Sequence, residues 1–412
     1  MKIAIIGSGI SGLTCAYKLS SKHDITLFEA NDYLGGHTHT HDIELDGEKH
    51  RVDTGFIVFN KKTYPNFLKL LEELDVAYKP TSMSFSVSCD KTGLEYNGTS
   101  FNTLFAQRLN FLRPKFYSML KGIIDFNKKA KDFLSNDNGD ISLQAFFESR
   151  KVKDSVIEYY IVPMMAAVWS TDPRDVWQFP AKFVLRFFEN HGFLEVDDRP
   201  QWYVIDGGSN SYIDKMLPHF KDSVRLNTPV QKVIRHDDHI VVETKNGSEK
   251  FDHVIFATHS DISLKILDAP TQKESEVLSS IPYIANPTYL HLDRSFLPKK
   301  KLAWAAWNYQ LPIERKVGAT VTYNMNILQE LKSKNLFNVT LNPYRKIDEK
   351  KIIKKMDYMH PLFSLEGMKA QESWKDISGK NRTHYCGAYW RNGFHEDGVF
   401  SALRVVEELE KI

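Results

Sequence analysis

Three glycines near the start of the chain have the spacing that binds the diphosphate of a dinucleotide. Gly7, Gly9 and Gly12 form the pattern G-x-G-x-x-G. In this pattern the first glycine permits a tight turn, the second lets the backbone approach a pyrophosphate, and the third lets a helix pack close to a strand. Glu29 follows about 20 residues later, where an acidic side chain can bind ribose hydroxyls. The chemistry indicated is the binding of a dinucleotide cofactor.

A strand, a helix and a second strand must hold these residues in place. The apolar run at residues 2–6 is typical of a buried parallel strand. Leu13, Ala16 and Leu19 mark the apolar side of the helix that follows, and a second strand at residues 25–28 ends at the acid. The helix N-terminus offers unpaired N–H groups and the positive end of its dipole to phosphates. The sequence thus predicts a nucleotide-binding βαβ unit.

A second glycine pair, Gly35 and Gly36, follows the acid and precedes the polar pair His37 and Thr38. Over residues 1–40 the chain resembles the FAD enzymes of the amine oxidase, phytoene desaturase and protoporphyrinogen oxidase superfamily. A glycine pair in a tight loop lets N–H groups face the pyrophosphate from its other side, and NAD dehydrogenases usually lack it. The resemblance therefore implies FAD as the cofactor. It also implies an α/β fold, in which an FAD-binding, Rossmann-like domain of the glutathione-reductase type is interleaved with a substrate domain made of a mixed sheet and helices.

Later segments match the same superfamily and imply further cofactor contacts. Val230 lies in the strand expected to meet adenine through its backbone, and the loop after Gly387 opens a final helix over residues 399–409. The superfamily usually carries an acid two residues after the glycine that matches Gly387. This chain has Tyr389 there, so an acid further along is the expected replacement. The predicted cofactor-binding residues are Gly7, Ser8, Gly9, Ile10, Ser11, Gly12, Glu29, Ala30, Gly35, Gly36, His37, Thr38, Thr54, Gly55, Phe56, Val230, Ala257, Thr258, Gly387, Phe394, His395, Glu396 and Asp397.

A narrower resemblance covers nearly the whole chain. It relates the sequence to a group of uncharacterised bacterial FAD/NAD-binding proteins and to the flavoprotein-like N-terminal part of plant cyclopropane fatty acid synthases. This likeness implies a link to the fatty acyl chains of membrane lipids. The segments that carry it are residues 52–60, 64–67, 303–309 and 385–398.

The resemblance leads to one expected function and three alternatives. We expect an FAD-dependent oxidoreductase, a desaturase or dehydrogenase that acts on an unsaturated or modified fatty acyl chain by hydride transfer to flavin N5. The alternatives are a flavin amine oxidase, a redox-neutral FAD-dependent isomerase of fatty acid double bonds, and a non-catalytic flavoprotein partner of a lipid methyltransferase. Amine oxidases often place a lysine near N5, and no motif-matched lysine is found in this sequence.

Catalytic and substrate-binding residues are the least determined by the sequence. Tyr389, His395 and Glu396 are the candidates for proton transfer, because they lie close to the expected flavin edge. Aromatic walls suit an acyl chain and also suit amines, and the same side chains can equally be core residues. The predicted substrate pocket consists of Trp304, Trp307, Tyr389 and Trp390.

Basic and apolar residues are interleaved over residues 101–133. A basic amphipathic helix of this kind can lie on an anionic membrane surface and admit a lipid substrate. It can equally pack its apolar face in the substrate domain and leave its lysines solvated. Peripheral membrane contact through this segment is therefore one of two open interpretations.

Three alternating histidines, His37, His39 and His41, would share one side of an extended segment. No carboxylate or cysteine nearby completes a recognised ligand spacing. We therefore predict no metal site.

Composition limits the class of protein. The chain has 412 residues and a net charge of +2, which gives no reason to expect nucleic acid binding. Its three cysteines are odd in number and far apart, which indicates reduced thiols in a cytoplasmic setting. No apolar run approaches the roughly 18 residues of a spanning helix. We expect a cytoplasmic protein, with association with the inner face of the membrane as the added hypothesis from the basic segment.

The strand and glycine signals predict a discontinuous domain arrangement. The FAD-binding domain is expected at residues 1–75, 205–275 and 378–412, and the substrate domain at residues 76–204 and 276–377.

Overall fold

A five-stranded parallel sheet carries the glycine-rich turn at the edge where its strands end. The computed structural model describes residues 1–136, 139–195, 199–314 and 318–412. The strands are β1 (Lys2–Ile6), β2 (Asp24–Phe28), β3 (Thr40–Leu45), β4 (Glu48–Asp53), β5 (Val58–Asn60), β6 (Tyr78–Thr81), β7 (Phe85–Cys89), β8 (Glu95–Asn97), β9 (Trp202–Ile205), β10 (Val224–Arg225), β11 (Val230–Arg235), β12 (Ile240–Thr244), β13 (Gly247–Phe251), β14 (His253–Phe256), β15 (Tyr283–His291), β16 (Trp307–Leu311), β17 (Thr320–Asn324), β18 (Asn338–Leu341), β19 (Ile352–Pro361) and β20 (Thr383–Tyr385).

Helices cover the sheets and connect their strands. The α-helices are α1 (Ile10–Leu19), α2 (Pro65–Glu73), α3 (Phe101–Leu104), α4 (Pro114–Ser135), α5 (Leu143–Arg150), α6 (Asp154–Val156), α7 (Val162–Trp169), α8 (Ala181–Asn190), α9 (Ser211–Met216), α10 (Ser260–Ile266), α11 (Gln272–Ser279), α12 (Met325–Leu328), α13 (Leu365–Glu372), α14 (Trp374–Ile377) and α15 (His395–Leu409).

The parallel sheet has the strand order β10-β2-β1-β14-β20. Ile6 at the end of β1 stands opposite Phe28 on one side and Phe256 on the other. The interior of β1 is fully buried, because α1, α15 and the antiparallel sheet β11-β12-β13 share one apolar core with the parallel sheet. The βαβ unit and the predicted α/β fold class are confirmed.

The second large sheet is mixed and has the strand order β19-β15-β18-β17-β16-β7-β8. Only β7 and β16 pair in parallel within it. The strands β7 and β8 form an antiparallel hairpin, with Ser86 opposite Asn97. Residues 301–303 form a 3-10 turn, and β16 begins at Trp307.

The sequence wrongly predicts one helix over residues 101–133. The segment is divided into α3, a 3-10 helix at Arg108–Leu112, and α4. Pro114 has no N–H group, and its ring disfavours a helical backbone at the residue before it. Arg113 accordingly has φ −104° and ψ 103°, which is extended backbone. Two short elements therefore precede the long helix.

The final helix begins earlier than the predicted residue 399. The carboxylate of Asp397 accepts a hydrogen bond from the Phe394 N–H group at 2.9 Å, which caps the helix at its first turn. The helix α15 therefore starts at His395 and brings its N-terminus beside the glycine-rich turn. Among the described residues, none of the helices has the length and apolarity needed to cross a bilayer.

Close packing holds the first turn of α1 against the sheet. Gly7 has φ +98°, a conformation that glycine adopts without strain. A Cβ atom at Gly12 would lie 1.9 Å from the Gly7 carbonyl oxygen, and one at Gly7 would lie 2.9 Å from the Ala257 carbonyl oxygen. The roles of the first and third glycines in the motif are thus sterically necessary.

We predict that Gly12→Ala destabilises the protein by about 3 kcal/mol, because the added methyl group overlaps backbone that cannot move without separating α1 from β1. Gly98→Ala is the matched control. A Cβ at Gly98 meets no atom within 4 Å, and its φ is not positive. The control should stay within about 0.5 kcal/mol of the parent. Urea unfolding of the three proteins measures both values, and equal stabilities would contradict the packing described.

Candidate functional site

A cavity of about 870 Å³ is lined by residues from both large sheets. Its volume lies towards the upper end of the range of roughly 300–1,000 Å³ for ligand pockets. Its lining includes the loops that follow β1 and β14 as well as residues of β16, β17 and β19. The cavity therefore joins the nucleotide-binding fold to the predicted substrate domain.

The glycine-rich turn presents bare backbone to this cavity. Gly9 is the N-cap of α1 without any side-chain cap, and a Cβ placed on it would meet no atom within 4 Å. Gly36 lies across from it, since a Cβ there would approach Gly9 Cα to 3.3 Å. The first N–H groups of a helix lack intrahelical partners. The turn thus provides open space and free N–H groups at Gly9, the position at which the motif predicts a phosphate.

A second helix N-terminus adjoins the first. The hydroxyl of Ser11 donates to the Gly398 carbonyl at 2.9 Å, and Gly398 packs directly on Ile10. The N-termini of α1 and α15 therefore lie side by side, and Phe394 and His395 also line the cavity. Two positive dipole ends at one point favour a diphosphate.

Glu29 is buried at the ribose end of the cavity. One carboxylate oxygen accepts hydrogen bonds from the Ser8 N–H and hydroxyl at 3.0 and 2.5 Å. The other accepts from the Asn31 N–H and side-chain amide at 2.8 and 2.9 Å. Thr228 and Val230 line the same end, and the Thr228 N–H donates to the Glu29 carbonyl at 2.8 Å. The predicted ribose-binding acid and the predicted adenine-contacting strand are thus neighbours.

These features fit an elongated dinucleotide such as FAD. The adenosine would lie by Glu29 and Val230, and the diphosphate by Gly9 and Gly36. The ring system would lie towards the aromatic end of the cavity. Open space at Gly9, where any side chain would enter the cavity, is the observation that carries this fit.

Three histidines stand together on the cavity wall near Gly36. The ring of His37 lies 5.2 Å from that of His360 and 6.3 Å from that of His259, between centroids. Burial lowers the pKa of His37 and of His259 to about 4, and that of His360 to about 3. All three imidazoles are therefore neutral at neutral pH. His37 Nε2 has no hydrogen-bond partner in the described part of the chain.

The alternating histidines do not gather metal ligands. The ring of His39 stacks on that of Tyr33 with the centroids 4.1 Å apart, and the ring centroids of His39 and His41 are also 4.1 Å apart. Across the described ranges no group of three or more histidine, cysteine or acidic side chains could hold a metal ion.

Of the three candidates for proton transfer, Tyr389 and His395 line the cavity. The His395 ring stacks on Phe56 at 3.5 Å, and its Nε2 lies 2.9 Å from the Thr38 hydroxyl and 3.3 Å from that of Tyr212. Burial holds the pKa of His395 well below its usual range. Burial also raises the pKa of Tyr389, so its phenol stays protonated.

Glu396 is placed differently from the sequence prediction. Its carboxylate accepts hydrogen bonds from the Asn66 N–H and side chain at 3.0 and 2.6 Å, and from the Phe67 N–H at 2.9 Å. These groups belong to the first turn of α2, so Glu396 caps that helix instead of facing the cavity. Asp397 is likewise occupied as the cap of α15, and burial raises its pKa to about 6. The superfamily usually has an acid at the position of Tyr389, and neither Glu396 nor Asp397 takes its place in the cavity lining.

The remaining predicted residues divide between the cavity wall and the layer behind it. Gly12, Thr38 and Thr54 support the wall without lining it; Thr54, for example, bonds Tyr358 at 2.8 Å. Trp304 donates its indole N–H to the Pro298 carbonyl at 2.8 Å and lies outside the lining. Trp390 is also outside it. The predicted cofactor residues that do line it are Gly7, Ser8, Gly9, Ile10, Ser11, Glu29, Ala30, Gly35, Gly36, His37, Gly55, Phe56, Val230, Ala257, Thr258, Gly387, Phe394 and His395.

A second cavity, of about 270 Å³, adjoins the first and shares six lining residues with it. Trp307, predicted as a pocket residue, lines both. The sequence offered no signal for the other shared residues, because they come from segments far apart in the chain. These residues are Met83, Val168, His191, Phe193 and Trp202.

The chain is similar to known flavoproteins in sequence and in fold. The family model for flavin containing amine oxidoreductases matches residues 10–327. A 1-hydroxycarotenoid 3,4-desaturase of Flavobacterium sp. is 39% identical over 104 residues, which are 24% of this chain and 19% of that protein. The coproporphyrinogen III oxidase of Staphylococcus aureus is 28% identical over 184 residues, 41% of this chain and 36% of the relative. The chain thus aligns with well under half the length of these two proteins.

Solved structures match over the whole chain at low identity. A triple mutant of putrescine oxidase has a TM-score of 0.72 at 14% identity, covering 100% of this chain and 98% of the other. A fatty acid isomerase from P. acnes, described as producing CLA, has a TM-score of 0.69 at 14% identity, with the same coverage. At this identity the likeness concerns the fold alone.

Gly9→Asp should yield a folded protein that purifies without flavin. The backbone at Gly9 has φ −62° and ψ 175°, which any residue adopts, and the added side chain meets no protein atom. Its carboxylate would repel the diphosphate. Gly9→Ala, which adds volume without charge, is the control and should retain more flavin. Visible absorbance per protein measures retention, and a yellow, folded Gly9→Asp protein would refute the placement of the phosphates.

The buried histidines should make stability depend on pH. Burial lowers the pKa of His360 to about 3 in the folded protein, whereas an unfolded histidine takes up a proton near pH 6.5. The free energy of unfolding therefore decreases as pH falls below about 6.5. Asp397, with its raised pKa, acts in the opposite direction over part of this range. We predict that His360→Asn reduces the slope of unfolding free energy against pH around pH 5 by roughly 1.4 kcal/mol per unit. Denaturant unfolding at several pH values tests this, and an unchanged slope would contradict it.

Proposed function

The chain belongs to the family of flavin containing amine oxidoreductases, and from that premise we propose that it is a dehydrogenase or desaturase of an unsaturated or modified fatty acyl chain. It is an FAD-dependent enzyme of this family, as the glycine motifs predict. The proposal concerns the substrate and the reaction within the family.

The pair of adjoining cavities is the observation that carries this proposal. The first cavity holds the cofactor residues at one end, and the second extends beyond Trp307 and Phe193 to the exposed residues Gly98 and Arg199. Most side chains shared by the two cavities are apolar or aromatic. A path of this shape suits an extended hydrocarbon better than a small amine.

The charges along the path also favour a lipid over a cationic amine. Within the described lining of both cavities, Glu29 is the single carboxylate, and it lies at the ribose end. Arg199 brings a guanidinium to the outer end of the second cavity. Among the described residues, a protonated amine would therefore meet no opposite charge at the substrate end, whereas an anionic head group would meet Arg199.

The chain's own residues would position the acyl chain, exclude water and hold a proton. Desaturation removes a hydride and a proton from neighbouring carbons, and bound FAD supplies the two-electron acceptor for the C–H bond. His37 Nε2, buried and without a partner in the described residues, is the group we propose to take up the proton. Tyr389 and His395 remain the other candidates from the sequence.

A redox-neutral shift of a double bond is the second candidate. The same cavities would hold its substrate, and the fatty acid isomerase from P. acnes shares the fold. The two reactions differ in whether the flavin remains reduced after the substrate has reacted.

The visible spectrum of the holoprotein, followed without oxygen, tests the proposal. Bleaching on addition of a bacterial phospholipid extract or of free unsaturated fatty acids supports the dehydrogenase. A moved double bond without bleaching supports the isomerase instead. Bleaching by a diamine alone would overturn both in favour of amine oxidation. Retained absorbance with unchanged substrates under all conditions would favour a non-catalytic partner of a lipid methyltransferase.

Blocking the joint between the cavities should separate substrate binding from flavin binding. Val168 on α7 lines both cavities and is half-buried. We predict that Val168→Trp slows reaction with long acyl chains at least tenfold while flavin content is unchanged, because the indole fills the passage. Val168→Ala is the control and should react with them. Equal rates in the parent and the Val168→Trp protein would mean that the second cavity does not hold substrate.

A further inference from the structure

Large exposed apolar side chains are concentrated in the segment of residues 101–117. Phe101, Leu109 and Leu112 are 69%, 67% and 81% exposed, and Phe111 and Tyr117 are also exposed. They belong to α3, the 3-10 helix at 108–112 and the start of α4. We call these five residues the apolar face. Isolated exposed apolar residues are ordinary, but a cluster of large ones marks an interaction surface.

A buried phenylalanine holds the apolar face together. Phe105 is 1% exposed, and its ring stacks on Phe111 at 4.1 Å. It also contacts Phe101 at 4.8 Å and Tyr117 at 5.9 Å, between ring centroids. The rings surround one anchor, so the apolar face is a built feature and not a set of frayed side chains.

The chain segment that carries the apolar face has charges of one sign. Residues 101–124 contain four basic residues, Arg108, Arg113, Lys115 and Lys121, and no acidic residue. A further basic segment lies beside α3, because the carboxylate of Glu95 on β8 accepts hydrogen bonds from the N–H groups of residues 299 and 300 at 2.8 and 3.0 Å. This segment adds Lys299, Lys300 and Lys301.

The apolar face begins where the second cavity reaches the surface. Gly98 is exposed and lines that cavity, and α3 starts three positions later. Tyr96, another lining residue, contacts Phe116 at 6.2 Å, and Phe116 contacts Phe105 at 5.4 Å. The lining of the cavity and the anchor of the apolar face thus form one continuous aromatic cluster.

We propose that the apolar face docks the protein on an anionic phospholipid bilayer. Phe101, Leu109 and Leu112 enter the acyl region, and the basic residues meet lipid phosphates. A second copy of the chain fits less well, because a two-fold contact would place the basic residues of the two copies against each other. The opening of the second cavity to lipid rests on the proposed function; the docking itself does not.

Sedimentation of the holoprotein with vesicles tests the docking directly. The parent should bind vesicles of phosphatidylglycerol and phosphatidylcholine at least tenfold more tightly than vesicles of phosphatidylcholine alone. Leu112→Glu should weaken this binding at least tenfold. Ile412→Glu is the control, since it makes the same kind of change at a residue that is 73% exposed just beyond α15. Both variants should unfold at the parent's temperature.

A second pair of variants tests the charge. Each of the substitutions Lys115→Gln and Lys121→Gln should weaken binding to anionic vesicles about fivefold. Each should also make the binding less dependent on salt concentration. Equal binding of parent and Leu112→Glu to anionic vesicles would overturn the proposal. The proposal would also be overturned if the parent protein formed a dimer that does not bind vesicles and that Leu112→Glu dissociates. The apolar face would then bind a second copy of the chain. Because no turnover is measured, failure of the proposed reaction would leave these results unchanged.

Discussion

The buried carboxylate of Asp53 joins the three parts of the chain on which the cavity depends. It accepts hydrogen bonds from the Thr40 hydroxyl at 2.5 Å, from the Ser209 N–H and hydroxyl at 2.9 Å each, and from the Gln329 side chain at 2.7 Å. Burial raises its pKa to about 6, and the donors act against that rise. Ser209 lies between β9 and α9, and Gln329 directly follows α12. A fully bonded carboxylate at this junction keeps the phosphate end and the aromatic end of the cavity in register.

The sequence predicts best where the physical rule is local. The first thirty residues contain the glycine motif, the apolar strand β1 and Glu29, which directly follows β2. Because these features are close in sequence, they predict the residues that would bind phosphate and ribose one by one. Glu396 shows the limit of such reasoning. The sequence predicts that Glu396 faces the flavin edge, but its carboxylate is taken by the first turn of α2, which is remote in sequence. No local pattern indicates which of two distant partners an acid will meet.

The aromatic end of the cavity could not be read from the sequence for a similar reason. Its walls come from α7, α8, β9, β16, β17 and β19, and their meeting depends on strand register in the mixed sheet and on helix packing. Trp304 and Trp307 both lie in the segment of residues 303–309, yet only Trp307 lines the cavity. The division of the basic segment at Pro114, in contrast, follows from a rule that the sequence already contained.

The strand order of the parallel sheet has a consequence for how the protein is made. The strand β1 is translated long before its neighbour β14, which lies about 250 residues further along the chain. At roughly 5–20 residues per second, about 13–50 seconds separate the synthesis of the two strands. During this interval one edge of a largely apolar strand lacks its partner. Over this period the exposed edge is open to incorrect strand pairing, and the N-terminus of α15 can join that of α1 only after residues 395–398 have been translated.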